Sequence, residues 1–210
     1  MLRETRTIIL DIATSSLPNA AEFIDVDSIQ APSNWKDPAK IDAYKAERLA
    51  ERLDSAALDF DLARITGIAW AGDIAGLATC RDEDQERIVL TDMAQRLRGD
   101  YRLIGYNMLQ FDAPMLMRRA RYLGVPFPVI NCDRYKSPHV DLLALLSDRD
   151  PSRRRSLGFY VKRLSMGLVK PLTGAQEAQV PVTGDWAGLE ASLRHDVTAI
   201  HLLAGWLGVL

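Results

Sequence analysis

The chain has 210 residues, 48% of them hydrophobic and 26% charged, and a formal net charge of -2. That length and apolar content suit one domain with a sizeable core. The near-neutral balance excludes a surface that coats nucleic acid through a general excess of Lys and Arg, so any such contact must be local or metal-mediated.

Thr7 to Ile12 reads as a first strand, because a short β-branched and aliphatic run meets turn formers at Thr14, Ser15 and Ser16. Residues 17 to 60 read as an insertion, in which the Pro- and Asp-rich stretch Ala31 to Pro38 leads into a helix from about Ala39 to Ala57. Arg64 to Ala71 and Leu77 to Cys80 follow as two strands joined at Gly72-Asp73, a hairpin signal. Ile88, Leu90, Met93, Ala94 and Leu97 carry helical spacing over Asp84 to Leu97, and Arg102 to Tyr106 returns as a strand. Three more helices are expected, over Ala113 to Leu123, Val140 to Ser147 and Trp186 to Trp206. This order predicts a single α/β domain over residues 1–210, a mixed sheet that starts antiparallel and is flanked by helices. Neither repeats nor a Gly-rich dinucleotide or nucleoside-triphosphate loop occur.

Cys80 and Cys132 lack any paired spacing and read as plain buried thiols in a reducing compartment. The apolar run Ile8-Ile9-Leu10 is too short for a signal-peptide core or a membrane span, so a soluble, cytoplasmic protein is expected. Trp35 and Trp70 read as packing residues.

Three acids stand out by their setting. Side chains alternate along a strand, which puts Asp11 on one face with Ile9 and Ala13, opposite Ile8, Leu10 and Ile12. Alone, Asp11 reads as a cap for the following turn. Asp112 stands before Pro114 at a strand-to-helix junction and alone reads as a helix cap. Asp196 lies inside an apolar helix, where Asp is unfavourable without a partner or a ligand role.

Taken in chain order, these settings carry a resemblance. The Asp11-x-x-Thr14 stretch followed by Ser15-Ser16, the stretch Gly105-Tyr106-Asn107-x-x-x-Phe111-Asp112-x-Pro114-x-Leu116, and His195-Asp196-Val197 on the last helix resemble the three motifs of DEDD 3'-5' exonucleases of the ribonuclease H-like superfamily. Ala31 to Pro38 and Ala56 to Ile65 look like phage-type and bacterial predicted exonucleases related to the proofreading domain of family B polymerases. The likeness spans nearly the whole chain and is weakest between Ser147 and Thr183. It implies a ribonuclease H-like fold and phosphodiester hydrolysis at single-stranded DNA 3' ends, or at RNA ends, with two magnesium or manganese ions. By that resemblance Asp11 would touch both ions, Asp196 would hold the nucleophile-side ion, and Asp112 would anchor the other largely through water. Asn107 and Phe111, with Ala13 and Thr14, would shape the pocket for the terminal nucleotide.

The pattern fails at two places. The family has Asp-x-Glu where this chain has Asp11-Ile12-Ala13, and it has a Tyr or His where this chain has Ser192 or Ala191. Ser192, four residues before Asp196, shares its helix face and is the remaining candidate to orient a metal-bound water. His195 points roughly 100° away around the helix and, like His139 and His201, reads as a surface or structural residue. Position 13 leaves three explanations: an engineered Glu-to-Ala change, a degenerate homologue, or another acid such as Glu22 or Asp25 in its place. The rival to an exonuclease is therefore a silent relative that binds nucleic-acid ends or partner proteins. Arg153, Arg154, Arg155, Lys162 and Arg163, followed by Lys170 and interleaved with Phe159 and Tyr160, read equally as a nucleic-acid contact and as a solvated face.

Overall fold

The computed structural model describes residues 5–210. Strand β1 (Arg6–Ser16) is followed by helix α1 (Pro38–Ser55), the hairpin strands β2 (Ala63–Gly72) and β3 (Gly76–Thr79), and helix α2 (Glu83–Arg96). Then come β4 (Tyr101–Gly105), α3 (Asp112–Tyr122), β5 (Val140–Asp141) and α4 (Leu142–Leu146). The chain continues through α5 (Leu157–Arg163), α6 (Gly174–Ala178) and α7 (Val180–Thr183) to the long α8 (Trp186–Trp206). The five strands lie in the order β3-β2-β1-β4-β5. β1 and β2 pair antiparallel, as do β2 and β3, whereas β4 and β5 run parallel to β1. A mixed sheet with helices on both faces is the ribonuclease H-like α/β arrangement that the sequence resemblance implies.

Alternation along β1 divides the core in two. Leu10 and Ile12 pack with Leu90 and Met93 of α2 and Leu116 of α3. Ile9 and Ala13 face the other way, onto Leu189, Leu193 and Val197 of α8. Each face removes a continuous apolar surface from water, the dominant favourable term in folding.

Two expectations are corrected. β1 does not stop at Ile12: Thr14, Ser15 and Ser16 pair with Ile65, Arg64 and Ala63 of β2, past a register shift between Ala13 and Thr14. Ladder pairing to β2 overrides the local turn preference of those residues, so Asp11 lies inside the strand rather than at its end. The helix expected from Val140 begins two residues later, because Val140 and Asp141 pair with Ile104 and Gly105 as a short edge strand. Asp141 then caps α4, accepting from the N–H groups of Leu143 and Ala144.

The insertion between β1 and β2 carries α1, which buries none of its residues. It is tied to the body where the Thr14 hydroxyl donates to the Ala57 carbonyl at 2.6 Å. No helix among the described residues is long and apolar enough to cross a membrane.

One buried ion pair joins three elements across the sheet's α2–α3 face. Arg119 of α3 donates to both Glu86 oxygens at 2.8 Å, and Glu86 Oε1 also accepts the Ile65 N–H of β2 at 3.0 Å. Removing one partner leaves an uncompensated buried charge, which costs about 3–5 kcal/mol, whereas an exposed pair contributes about 0–1 kcal/mol. Arg119→Met is therefore expected to lower the urea-denaturation stability by several kcal/mol. Arg118→Ala, which removes the exposed pair with Asp61, is expected to change it by less than about 1 kcal/mol; equal losses from the two would contradict this reading.

Candidate functional site

The site forms where two parallel strands part company. β1 and β4 stay paired only as far as Ile9 and Ile104. Beyond that point the Ile12 N–H has no strand partner, and Asp112 Oδ1 accepts from it at 3.1 Å. Asp112 is the first residue of α3, and Phe111 in front of it makes no side-chain cap. The side chain of Asp112 thus bridges back to β1 instead of capping its own helix.

The loop that delivers Asp112 is held by a carboxylate that sequence reasoning missed. Buried Asp141 accepts the N–H of Asn107 at 3.0 Å and that of Leu109 at 3.1 Å, besides capping α4. Asn107 adopts a left-handed backbone with φ of 62°, a conformation that Asn tolerates better than most residues. Asp196 comes from α8, on the helix face that also carries buried Leu193, Val197 and Ile200. That face covers the side of β1 from which Asp11 projects.

The three carboxylates feel one another. Asp11 keeps part of its surface open, yet burial pushes its pKa well above the ordinary 3.8, and repulsion from Asp112 and then Asp196 adds to the rise. Lys170 works against this shift and Glu177 reinforces it. Asp112 is pushed up to about 7, chiefly by burial; its own backbone and the Ile12 N–H oppose the rise, while Asp141 and Asp196 add to it. Perturbed carboxylates of this kind cluster at functional sites, as they also do in structural ion-pair networks.

A cation stands at one side of this cluster. The Lys170 ammonium lies 2.5 Å from Asp196 Oδ2 and 2.9 Å from Glu177 Oε1. Burial acts against the charged Lys170, but Asp196 and Glu177 outweigh it and raise its pKa. His195 Nδ1 lies 2.9 Å from Asp196 Oδ1, with only 7% of its side chain exposed. His195 is therefore no surface residue: its side chain folds back onto the carboxylate next to it.

The residues named from sequence separate into groups. Asp11 lies within the charge field of both Asp112 and Asp196. Phe111 directly precedes Asp112 and packs against Phe60 of the insertion at 5.9 Å between ring centroids, while Asn107 is held through its N–H by Asp141. The Thr14 hydroxyl is committed to Ala57, and Ala13 is buried in the α8-side core, so neither side chain is free to contact a ligand. Ser192 is fully buried and donates to Glu177, which turns its hydroxyl away from the water-orienting role.

Glu22 and Asp25 sit in exposed turns, one bonded to Asn19 and the other capping its own turn. The acid that enters the cluster is Glu177, from the region where the sequence resemblance is weakest. Lys170, grouped by sequence with the basic run, turns inward to the acids instead. Within that run Arg153 pairs with Asp148 and Asp150, while Arg154 reaches Gln110, next to Phe111, at 2.9 Å.

A hard divalent ion fits this donor set in kind, since carboxylate oxygens are its natural ligands and their mutual repulsion is what such an ion relieves. In spacing, no three His, Cys, Asp or Glu side chains among the described residues are grouped closely enough to hold an ion as they stand.

No family model and no curated protein matches the chain. Among solved structures, 97% of the chain matches the family B DNA polymerase from the hyperthermophilic archaeon Pyrobaculum calidifontis, with a TM-score of 0.59 and 17% identity. The match takes up 24% of the polymerase chain. At that identity the likeness establishes the shared fold.

Asp112 has a measurable consequence. Folding lifts its carboxyl from 3.8 to about 7, so between those values the folded chain holds a proton that the unfolded chain has released. The stability this proton confers is full below the unfolded value and is lost as pH rises through the folded one. In EDTA, the urea-denaturation stability of the wild type is expected to fall across that window. Asp112→Asn is expected to flatten the fall, leaving the part due to Asp11; an unchanged slope would contradict the assignment.

Proposed function

We propose that the chain is a metal-dependent nuclease of the 3'-5' exonuclease kind, acting on single-stranded DNA ends. The observation that supports this reading is that Asp11, on β1, lies within the charge field of Asp112 from α3 and Asp196 from α8. Asp11 lies on the face of β1 that α8 covers, Asp196 comes from α8, and Asp112 bonds to β1 where β1 and β4 part. Together they would hold divalent magnesium or manganese. Such ions, when bound, activate water and stabilise a leaving 3'-oxygen.

The chain's own residues would do the rest. The Asn107–Phe111 loop, braced by Asp141, fixes the position of Asp112 and presents Phe111 beside it. Arg154, held against Gln110 of the same loop, would be the cation to meet a phosphate of the bound strand. Burial around the acids strengthens every charge interaction made there.

A second reading rests on its own observation. Ala13 supplies no carboxylate, and Lys170 already neutralises Asp196, so the same fold would bind 3' ends without cutting them. Incubating purified protein with manganese and a 5'-labelled single-stranded oligonucleotide separates the two. A ladder of products shortened from the 3' end, abolished by EDTA and by Asp112→Ala, is the expected result. Tight binding without shortening would favour the silent reading, and neither binding nor shortening would overturn both.

A further inference from the structure

Away from the acids, two guanidiniums stand over one exposed tyrosine ring. Tyr135, 74% exposed, lies in the loop between α3 and β5. The Arg134 guanidinium carbon is 5.7 Å from its ring centroid, and that of Arg149, just after α4, is 5.5 Å away. The acids beside them in sequence are engaged elsewhere. Asp133 accepts the N–H groups of Tyr135 and Lys136, while Asp148 and Asp150 pair with Arg153. Arg134 acts on Asp150 only through space, so both arginines keep their charge for something outside the chain.

The backbone around the ring is fixed. Besides the two Asp133 bonds, Asn131 accepts the Asp133 N–H at 2.9 Å, and the Ser137 hydroxyl donates to the Asn131 carbonyl at 2.7 Å. Asp148 and Arg149 both take left-handed backbones, with φ of 52° and 60°, which residues with a side chain seldom adopt. The Arg149 N–H then bonds back to the Ala144 carbonyl of α4 at 2.8 Å. Beside the ring opens a cleft of about 240 Å³, lined by Arg134, Arg149, Ser137 and His139 together with Leu109 and Asp141. Leu109 and Asp141 also belong to the support of the Asp112 loop, so this cleft and the acid cluster share a wall.

An open ring beneath two cations calls for a ligand that has flat faces and repeated negative charge. Single-stranded nucleic acid has both; a duplex hides its base faces, and an acidic peptide has none. Resting on the nuclease reading above, which supplies a strand to bind, we propose that Tyr135, Arg134 and Arg149 form a second contact for single-stranded nucleic acid at the β5 edge of the sheet. One base stacks on the Tyr135 ring, taking the place of a guanidinium there. The displaced guanidinium pairs with a flanking phosphate, where its planar fork gives two donors. No acid of the cluster takes part, and the shared wall at Leu109 joins the two contacts along one strand.

Fluorescence anisotropy with a short labelled oligothymidylate, in EDTA and at low salt, tests this contact without metal or cleavage. All three side chains are exposed, so their variants leave the core intact, as circular dichroism would check. Tyr135→Ala is expected to weaken binding about tenfold, and Tyr135→Phe, which keeps the ring, to leave it unchanged. Arg134→Ala combined with Arg149→Ala should weaken it too, and should lower the slope of log affinity against log salt by about one. An abasic strand of the same length should bind the wild type about tenfold more weakly than oligothymidylate, and should bind Tyr135→Ala no more weakly than the wild type. Equal binding of oligothymidylate by wild type and Tyr135→Ala, or an abasic strand held as tightly as oligothymidylate, overturns the stacking contact. Polyglutamate that competes as well as oligothymidylate overturns it in favour of an acidic protein partner. These failures leave the acid cluster untouched. Conversely, Tyr135-dependent binding by a chain that shortens no strand in manganese supports this contact and overturns the nuclease reading alone.

Discussion

Everything at this site follows from the divergence of two parallel strands. Once β1 leaves β4 after Ile9, a buried backbone N–H at Ile12 needs an acceptor, because leaving it unmade costs about 1–3 kcal/mol. Asp112 provides that acceptor. The bond draws a carboxylate from α3 to the middle of β1, into the charge field of Asp11. Backbone hydrogen bonding and charge repulsion therefore pull on Asp112 in opposite directions, and the cluster is the compromise.

Such a compromise lasts only with support around it. Asp141 fixes the loop before Asp112 through the N–H groups of Asn107 and Leu109, and the Arg119–Glu86 pair locks α3 to α2 and β2. These interactions are far less exposed than the ones around Lys170. The most buried support of the site thus lies on the α3 side, and its more open side is the one where Lys170 stands.

Much of this was legible in the residues themselves. The alternation of Ile9, Asp11 and Ala13 against Leu10 and Ile12 foretold which face meets α8, and the apolar setting of Asp196 foretold that it needed a partner. The hairpin at Gly72 and the span of α8 were equally plain. Thr14 to Ser16 misled because their turn preference is weaker than the ladder offered by β2. Asp141 was hidden because a two-residue strand leaves no periodic signal. Glu177 and Lys170 were hidden for another reason: each looks like an ordinary surface charge until α6 and α8 are placed around it. Their pairing depends on contacts across 26 residues for Lys170 and Asp196 and 15 for Glu177 and Ser192, which no local pattern reports.

The most direct measurement is a crystal grown in manganese and examined for anomalous scattering. The expected result is manganese density bounded by Asp11, Asp112 and Asp196. Density absent from that cluster would contradict the view that these acids form a cation site.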